Sequence, residues 1–220
     1  MARKIFIWDL HWCGDELQIL LKRLNISEQD ELYFTWDYFT KGPKPVEVAQ
    51  TILDCKVKVY WVQWNHDLYL WEILEDKTSW ENFRGNKEIL EFFKNNQDAL
   101  HRFKSLPFWI EEDDFILVHA GFEPWIPLQN QDVHTLVNIR EWRKDYKWNK
   151  LVVFGHDAAQ GLVKTSNVAG IDTGCVYWGY LTAFVFDSQE IFQVASLDYY
   201  TQANKQKRKQ RIGQILTNEG

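Results

Sequence analysis

The sequence has little cysteine, no long apolar run and no excess of positive charge, and each shortage excludes a class of protein. Three cysteines among 220 residues, Cys13, Cys55 and Cys175, are an odd number without paired spacing. That count favours free thiols in a reducing compartment over a disulfide framework. The apolar run at the N-terminus stops at Asp9, too short for a signal-peptide core, and no later run is long enough to span a bilayer. We therefore expect a cytoplasmic protein without a membrane partner.

Acidic residues outnumber basic ones, and the formal net charge is −6. The chain as a whole therefore gives no support for a nucleic-acid partner. The exception is the basic C-terminal tail, residues 201–220, whose cations are Lys205, Lys207, Arg208, Lys209 and Arg211. This composition favours a solvated terminus, and contact with RNA or an acidic partner is the alternative.

Glycine is also scarce. There are 11 glycines against 12 tryptophans, whereas glycine normally makes up about 7% of residues. The rest of the composition, 45% hydrophobic and 25% charged, is typical of a globular domain. We expect one domain over residues 1–200, with a helical cap in residues 68–105.

Short runs rich in β-branched and aromatic residues predict strands, and most of them end at a polar turn. Between the first three, apolar residues recur at helical spacing, as in Leu17, Leu20, Leu21 and Leu24. Strands that alternate with helices predict an α/β fold whose functional residues lie where strands end. The predicted strands cover residues 4–8, 32–36, 57–63, 115–118, 151–154, 168–171, 180–186 and 190–196.

Carboxylate, amide and imidazole side chains follow five of these strands. Asp9 and His11 are two residues apart, so in extended backbone they share a face and can reach one ion together. The other four side chains each close a separate strand, and they are Asp37, Asn65, His119 and His156. This mixture of ligands suits manganese, iron or zinc better than calcium or a thiolate cluster.

These residues resemble the sequence blocks of the calcineurin-like metallophosphatases, which read G-D-x-H-G, G-D-x-x-x-R-G-P, G-N-H-D/E, H-A-G and G-H. This chain has WDLHW at 8–12, WDYFTKGP at 36–43, WNHD at 64–67, HAG at 119–121 and GH at 155–156. The resemblance runs in order over residues 4–187. It is closest to the branch of bacterial serine/threonine phosphatases and symmetrical diadenosine tetraphosphatases, which the segment GIDTGC at 170–175 also resembles. It implies an α/β sandwich of two mixed β-sheets flanked by helices.

The resemblance also implies a role for each site residue. Asp9 and His11 would bind a first divalent ion, and Asp37 would bridge it to a second. The second ion would be held by Asn65, His119 and His156. Manganese is the favoured ion, with iron or zinc as alternatives. A hydroxide between the ions would attack phosphorus, so that no serine or cysteine nucleophile is needed.

Further roles concern proton transfer and phosphate binding. His66 resembles the family's general acid, and Lys41, Arg140 and Asn65 would contact phosphate. Arg140 is also open to the interpretation that it is a surface ion-pair residue. The implied substrates are phosphomonoesters or phosphoanhydrides, carried either by a phosphoprotein or by a dinucleoside polyphosphate.

Two departures from the family pattern bear on chemistry. Thr40 stands where many protein phosphatases have an aspartate that orients the general acid, which tilts the prediction towards the tetraphosphatases. Lys41 replaces an arginine, and lysine keeps the charge but loses the two-pronged contact with phosphate.

A third departure is larger, because tryptophan stands at positions where the family has glycine. Glycine suits turns at strand ends, where the backbone takes a positive φ or approaches a ligand closely. Either the tryptophans are real and the chain is an inactive binding scaffold, or UGA codons that are read as glycine have been translated as tryptophan. The second explanation is favoured, since it restores glycine to its usual share. The positions are Trp8, Trp12, Trp36, Trp64, Trp125 and Trp178.

Overall fold

The computed structural model describes residues 2–8, 10–11, 13–35, 44–75, 87–141 and 148–197, without the side chains of His66 and Asp67. Several predictions fall outside these residues. They concern Asp9, Asp37, Lys41, the side chain of His66, Trp12, Trp36 and the tail 201–220.

The first sheet combines the N-terminal strands with a C-terminal hairpin. Its strands are β1 (Lys4–Trp8), β2 (Glu31–Thr35), β3 (Lys58–Val62), β9 (Tyr180–Val185) and β10 (Glu190–Ala195). They lie in the order β10–β9–β1–β2–β3. The strands β1, β2 and β3 are parallel, whereas β9 runs antiparallel to both β1 and β10.

The second sheet comes from the middle of the chain. Its strands are β4 (Trp109–Glu111), β5 (Phe115–Val118), β6 (Leu151–Phe154), β7 (Val163–Lys164) and β8 (Val168–Gly170). They lie in the order β4–β5–β6–β8–β7, with β5, β6 and β8 parallel and the two outer strands antiparallel. Both sheets are therefore mixed, as the sequence predicted.

Six α-helices connect the strands within the described residues. They are α1 (Gly14–Leu24), α2 (Pro45–Leu53), α3 (Asn65–Leu74), α4 (Glu88–Asn95), α5 (Gln97–Lys104) and α6 (Val133–Asn138). The leucine spacing that predicted α1 gives a buried face, which Leu17, Leu20 and Leu24 form. Helix α4 buries Ile89 and Phe93 and packs against α2, α3 and α5. The predicted helical character of residues 68–105 agrees with α3, α4 and α5, and a cap over the substrate stays a prediction.

Aromatic residues hold the two sheets face to face. The ring of Phe6 on β1 lies 4.9 Å from that of Phe115 on β5, and the Tyr33 ring lies 5.2 Å from the same phenylalanine. All three side chains are buried, and such edge-on contacts add to the burial of apolar area. The predicted sandwich of two mixed sheets is thus confirmed. No helix in the described ranges has both the length and the apolar character needed to cross a membrane.

Candidate metal centre

Two predicted ligands follow neighbouring parallel strands of the second sheet. His119 comes directly after β5, and His156 stands two residues beyond β6. The backbone N–H of Gly155 donates a hydrogen bond to the carbonyl of His119 at 2.8 Å. Because parallel strands end at the same edge of a sheet, this bond fixes the two histidines side by side.

The imidazoles of this pair face each other. His119 Nε2 lies 3.0 Å from His156 Nδ1, and the ring centroids are 4.9 Å apart. His119 is fully buried, and His156 has a φ of 73°, in the left-handed region that residues other than glycine seldom adopt. Backbone strain of this kind, at a residue whose ring nitrogen approaches that of a second histidine, is typical of a functional site.

Asn65 supplies the third described group. It is the first residue of α3, immediately after Trp64, whose ring lies 5.8 Å from that of His119. The side-chain oxygen Oδ1 of Asn65 is buried and accepts no hydrogen bond within the described part of the chain. A buried oxygen left in this way costs free energy unless a partner satisfies it. A divalent ion fits that need, since one amide oxygen and two imidazoles suit manganese, iron or zinc.

His11 belongs to the end of β1 in the other sheet. It is buried, with 3% of its surface exposed, and has a φ of 36°. Its ring lies 6.2 Å from that of Tyr177, which the sequence analysis did not single out. His11 thus lies in a buried, strained position three residues beyond the end of β1. Its role as a ligand stays a prediction. Its companions Asp9 and Asp37 lie outside the described residues.

Arg140 reaches the edge of this site through one ion pair. Its Nη1 donates to Oδ1 of Asp157 at 2.9 Å, and Asp157 adjoins His156 in the chain. This position suits a phosphate-binding arginine, whereas the pairing itself matches the alternative interpretation of a surface ion pair. Both interpretations therefore stand.

The cysteine next to the first block is a poor nucleophile. Cys13 is buried at the start of α1, and burial together with a hydrogen bond to Cys175 raises the pKa of its thiol well above the usual range. A protonated, inaccessible thiol does not attack phosphorus. This agrees with a mechanism that uses no cysteine.

The tryptophans at predicted glycine positions differ in their surroundings. Trp8 is fully buried, and a Cβ added to Gly155 would lie 1.6 Å from Trp8 Nε1, so the indole fills the space beside the strand that leads to His156. Its Nε1 is buried without a hydrogen-bond acceptor among the described residues. Trp178 has a φ of 76°, a conformation that favours glycine. Trp64 is buried, whereas Trp125 is 69% exposed.

Known proteins resemble the chain over most of its length. The bis(5'-nucleosyl)-tetraphosphatase PrpE [asymmetrical] of Anoxybacillus flavithermus is 25% identical, over 86% of this chain and 93% of its own. A symmetrical bis(5'-nucleosyl)-tetraphosphatase of Vibrio parahaemolyticus is also 25% identical, over 87% of this chain and 98% of its own. No protein-family profile matches the chain.

A solved structure gives the same result for the fold. The crystal structure of a protein provisionally named a diadenosine tetraphosphatase superposes with a TM-score of 0.74 at 25% identity, covering 90% of this chain and 95% of that one. The likeness in sequence and in fold extends over nearly the whole length of each chain. The chain is therefore similar to the diadenosine tetraphosphatases, and this similarity supports its assignment to the calcineurin-like metallophosphatases, which hydrolyse phosphoric esters or anhydrides.

Proposed function

We propose that this chain hydrolyses the phosphoanhydride bonds of dinucleoside polyphosphates in the cytoplasm. The observation that carries the catalytic part is the facing pair of His119 and His156, whose ring nitrogens lie 3.0 Å apart. The buried oxygen of Asn65, which accepts no hydrogen bond among the described residues, supports it. The substrate class is supported by the names of the two curated relatives, both tetraphosphatases, whose lengths the chain nearly spans. Three free cysteines suit a reducing compartment.

Two divalent ions, manganese by preference, complete the site in this proposal. Asn65, His119 and His156 would hold one, Asp9 and His11 the other, and Asp37 both. When bound, such ions neutralise phosphoryl oxygens and lower the pKa of a water molecule until hydroxide is available near neutral pH.

The remaining steps fall to side chains of this chain. His66 would donate a proton to the leaving phosphate oxygen, a task that imidazole performs near neutral pH. Arg140, Lys41 and the amide of Asn65 would bind the phosphate oxygens and hold the scissile bond in line. The pairing of Arg140 with Asp157 limits the arginine's rotation, so its free N–H groups are already oriented before substrate binds.

We also propose that the six tryptophans at glycine positions are glycines in the native protein. The φ of 76° at Trp178 and the buried, unbonded Nε1 of Trp8 both support this, because glycine removes the strain and the unsatisfied group. The DNA sequence of the gene tests this proposal, since UGG codons at Trp8 and Trp178 would show that these residues are genuine tryptophans. Intact mass of the protein from its native host gives the same answer independently.

The substrate is tested with the manganese-loaded protein, carrying the residues that mass spectrometry finds at the six positions. Diadenosine tetraphosphate, a phosphoserine peptide and p-nitrophenyl phosphate are compared by kcat/KM. We expect the tetraphosphate to be preferred by at least about 10-fold, which corresponds to 1.4 kcal/mol of transition-state binding. Preference for the peptide would make the chain a protein phosphatase. Hydrolysis of none of the three would contradict the enzymatic assignment and support a scaffold.

The position of the cut is read from the products of the same reaction. A symmetrical cut gives two molecules of ADP, and an asymmetrical cut gives AMP with ATP. Chromatography of the products separates the two outcomes, each represented by one of the curated relatives.

A further inference from the structure

Two tyrosines, one in the loop between β8 and β9 and one at the start of β9, are exposed. Tyr177 is 41% exposed and Tyr180 is 49% exposed. Large rings in contact with water on neighbouring positions commonly mark a binding surface. This loop follows β8 and leads into β9, at the end of β1 from which His11 projects.

Only one of these rings has a described contact with the metal centre. The Tyr177 ring lies 6.2 Å from that of His11, with an angle of 72° between the ring planes. The two rings are therefore close to perpendicular, and part of the tyrosine surface stays open to solvent. A ligand whose phosphates are bound at the metal centre has its next group within reach of this ring.

The loop holds Tyr177 in place through backbone hydrogen bonds. The N–H groups of Tyr177 and Gly179 both donate to the carbonyl of Gly174 at 2.8 Å, and Tyr180 N–H donates to Thr173 O at 3.1 Å. Asp172 Oδ1 accepts a further bond from Gly174 N–H at 3.0 Å. A Cβ on Gly179 would lie 1.8 Å from Thr173 O, so the turn closes only with glycine there.

Two buried side chains attach the same loop to the protein core. Cys175 and Val176 are 1% and 0% exposed, and the Cys175 thiol contacts that of Cys13 at the start of α1. The segment that carries Tyr177 is thus fixed to the segment that follows His11. A ring held in this way loses little conformational entropy when a flat ligand stacks on it.

We propose that Tyr177 is the stacking platform for a nucleobase of the substrate, a site distinct from the phosphate-binding residues. The inference rests on the proposed hydrolysis of dinucleoside polyphosphates, and it assigns the recognition of the nucleoside to one side chain. Stacking on an aromatic ring tolerates any base, because every base has a π-face, and it is favoured by the larger purines. The site therefore takes purine nucleotides with little distinction between adenine and guanine.

The test measures equilibrium binding rather than turnover. Binding of ADP and of inorganic pyrophosphate to the manganese-loaded protein is followed by calorimetry for wild type, Tyr177→Leu and Tyr177→Phe. We expect Tyr177→Leu to weaken ADP binding roughly 5- to 100-fold, the range for loss of one base-stacking ring, while pyrophosphate affinity changes far less. Tyr177→Phe keeps the ring and should keep the preference for ADP.

Tyr180→Leu is the matched control. Tyr180 is about as exposed and lies three residues further along, and within the described residues its ring contacts no histidine ring. Its replacement should leave ADP affinity as in wild type. An equal loss in Tyr180→Leu, unaltered ADP affinity in Tyr177→Leu, or wild-type protein that binds ADP no better than pyrophosphate would each overturn the inference.

The same variants separate this inference from the proposed function. If wild type hydrolyses diadenosine tetraphosphate but Tyr177→Leu binds ADP normally, the platform is wrong and the function stands. If wild type does not hydrolyse it but Tyr177→Leu loses the preference for ADP, the platform stands and the substrate is a different nucleotide.

Discussion

At the scale of single residues, the facing nitrogens of His119 and His156 determine what the centre can bind. At 3.0 Å, one N–H at most lies between the two rings. At least one ring therefore presents a lone pair to the space between them. A metal ion that accepts a lone pair from each ring would remove this constraint.

The first prediction concerns loss of one ligand. His156→Asn should lower the bound manganese from two ions towards one per chain and reduce kcat by about 100-fold or more, the scale of losing one fixed electrostatic contact in the transition state. Metal content is measured by elemental mass spectrometry on the purified protein. His101→Asn is the control, since His101 is exposed on α5. Full metal content in His156→Asn would show that His156 is no ligand.

The second prediction separates the two interpretations of Arg140. If Arg140 contacts phosphate, Arg140→Ala should raise KM for diadenosine tetraphosphate by about 10-fold, since a charged hydrogen bond contributes roughly 1.5–3 kcal/mol. If Arg140 only forms a surface ion pair with Asp157, Arg140→Ala should change neither kcat nor KM and should lower the free energy of unfolding by under about 1 kcal/mol. Arg23→Ala, which removes an exposed arginine bonded to the Gln193 carbonyl, is the kinetic control.

At the scale of elements, strand ends explain why much of the centre could be predicted from sequence. Functional side chains in such sheets lie at the carboxyl ends of the strands. The polar residues that follow β1, β3, β5 and β6 mark those ends in the sequence. The positions of Asn65, His119 and His156 after strand ends were therefore predicted from local pattern together with the family blocks, and their role as ligands stays a prediction. The predicted strand at 32–36 and the observed β2, Glu31–Thr35, agree to within one residue at each end.

Contacts between distant segments could not be predicted in the same way. Tyr177 approaches His11 only because β9 pairs with β1, and no local pattern states that register. The placement of the Trp8 indole against Gly155 likewise depends on how the two sheets pack. Such contacts depend on side-chain packing across the sandwich, whereas sequence periodicity reports only which face of each element is buried.

The third prediction tests the loop that ends the 3₁₀ helix Cys175–Tyr177. Trp178→Gly should raise the free energy of unfolding by about 1–2 kcal/mol, the cost of a left-handed conformation for a residue with a Cβ. Urea denaturation measures the change. Trp125→Gly is the control, because Trp125 is exposed and has no positive φ. Destabilisation by Trp178→Gly alone would show that the indole at 178 is a required part of the structure.

At the scale of the whole molecule, one buried carboxylate joins three segments. Asp30 accepts hydrogen bonds from the guanidinium and backbone of Arg3 and from Ser27 N–H, while Arg3 also donates to the carbonyls of Leu24 and Asn25. These bonds hold the pKa of the Asp30 carboxyl far below its usual range. The start of β1, the end of α1 and the start of β2 are thereby fixed together.

The fourth prediction follows from that lowered pKa. Asp30 stabilises the fold above its unfolded pKa of about 3.9, and the contribution is lost as the pH falls through the lower folded pKa. Asp30→Asn should cost about 3 kcal/mol at pH 7, as expected when a buried ion pair loses one partner. The difference from wild type should shrink below about pH 4, measured by urea denaturation across pH. Asp15→Asn, in an exposed pair with Lys44, should change the free energy of unfolding very little at every pH, because solvent screens exposed ion pairs.

The closed turn around Gly179 has a consequence for how this enzyme can change. Its shape is set by backbone hydrogen bonds and by a glycine that admits no side chain. We therefore expect the path of the chain through this turn to depend more on Gly179 than on the side chain at position 177. In the proposed platform, exchange of Tyr177 would alter the recognition of the base, whereas any side chain at position 179 would disrupt the turn itself.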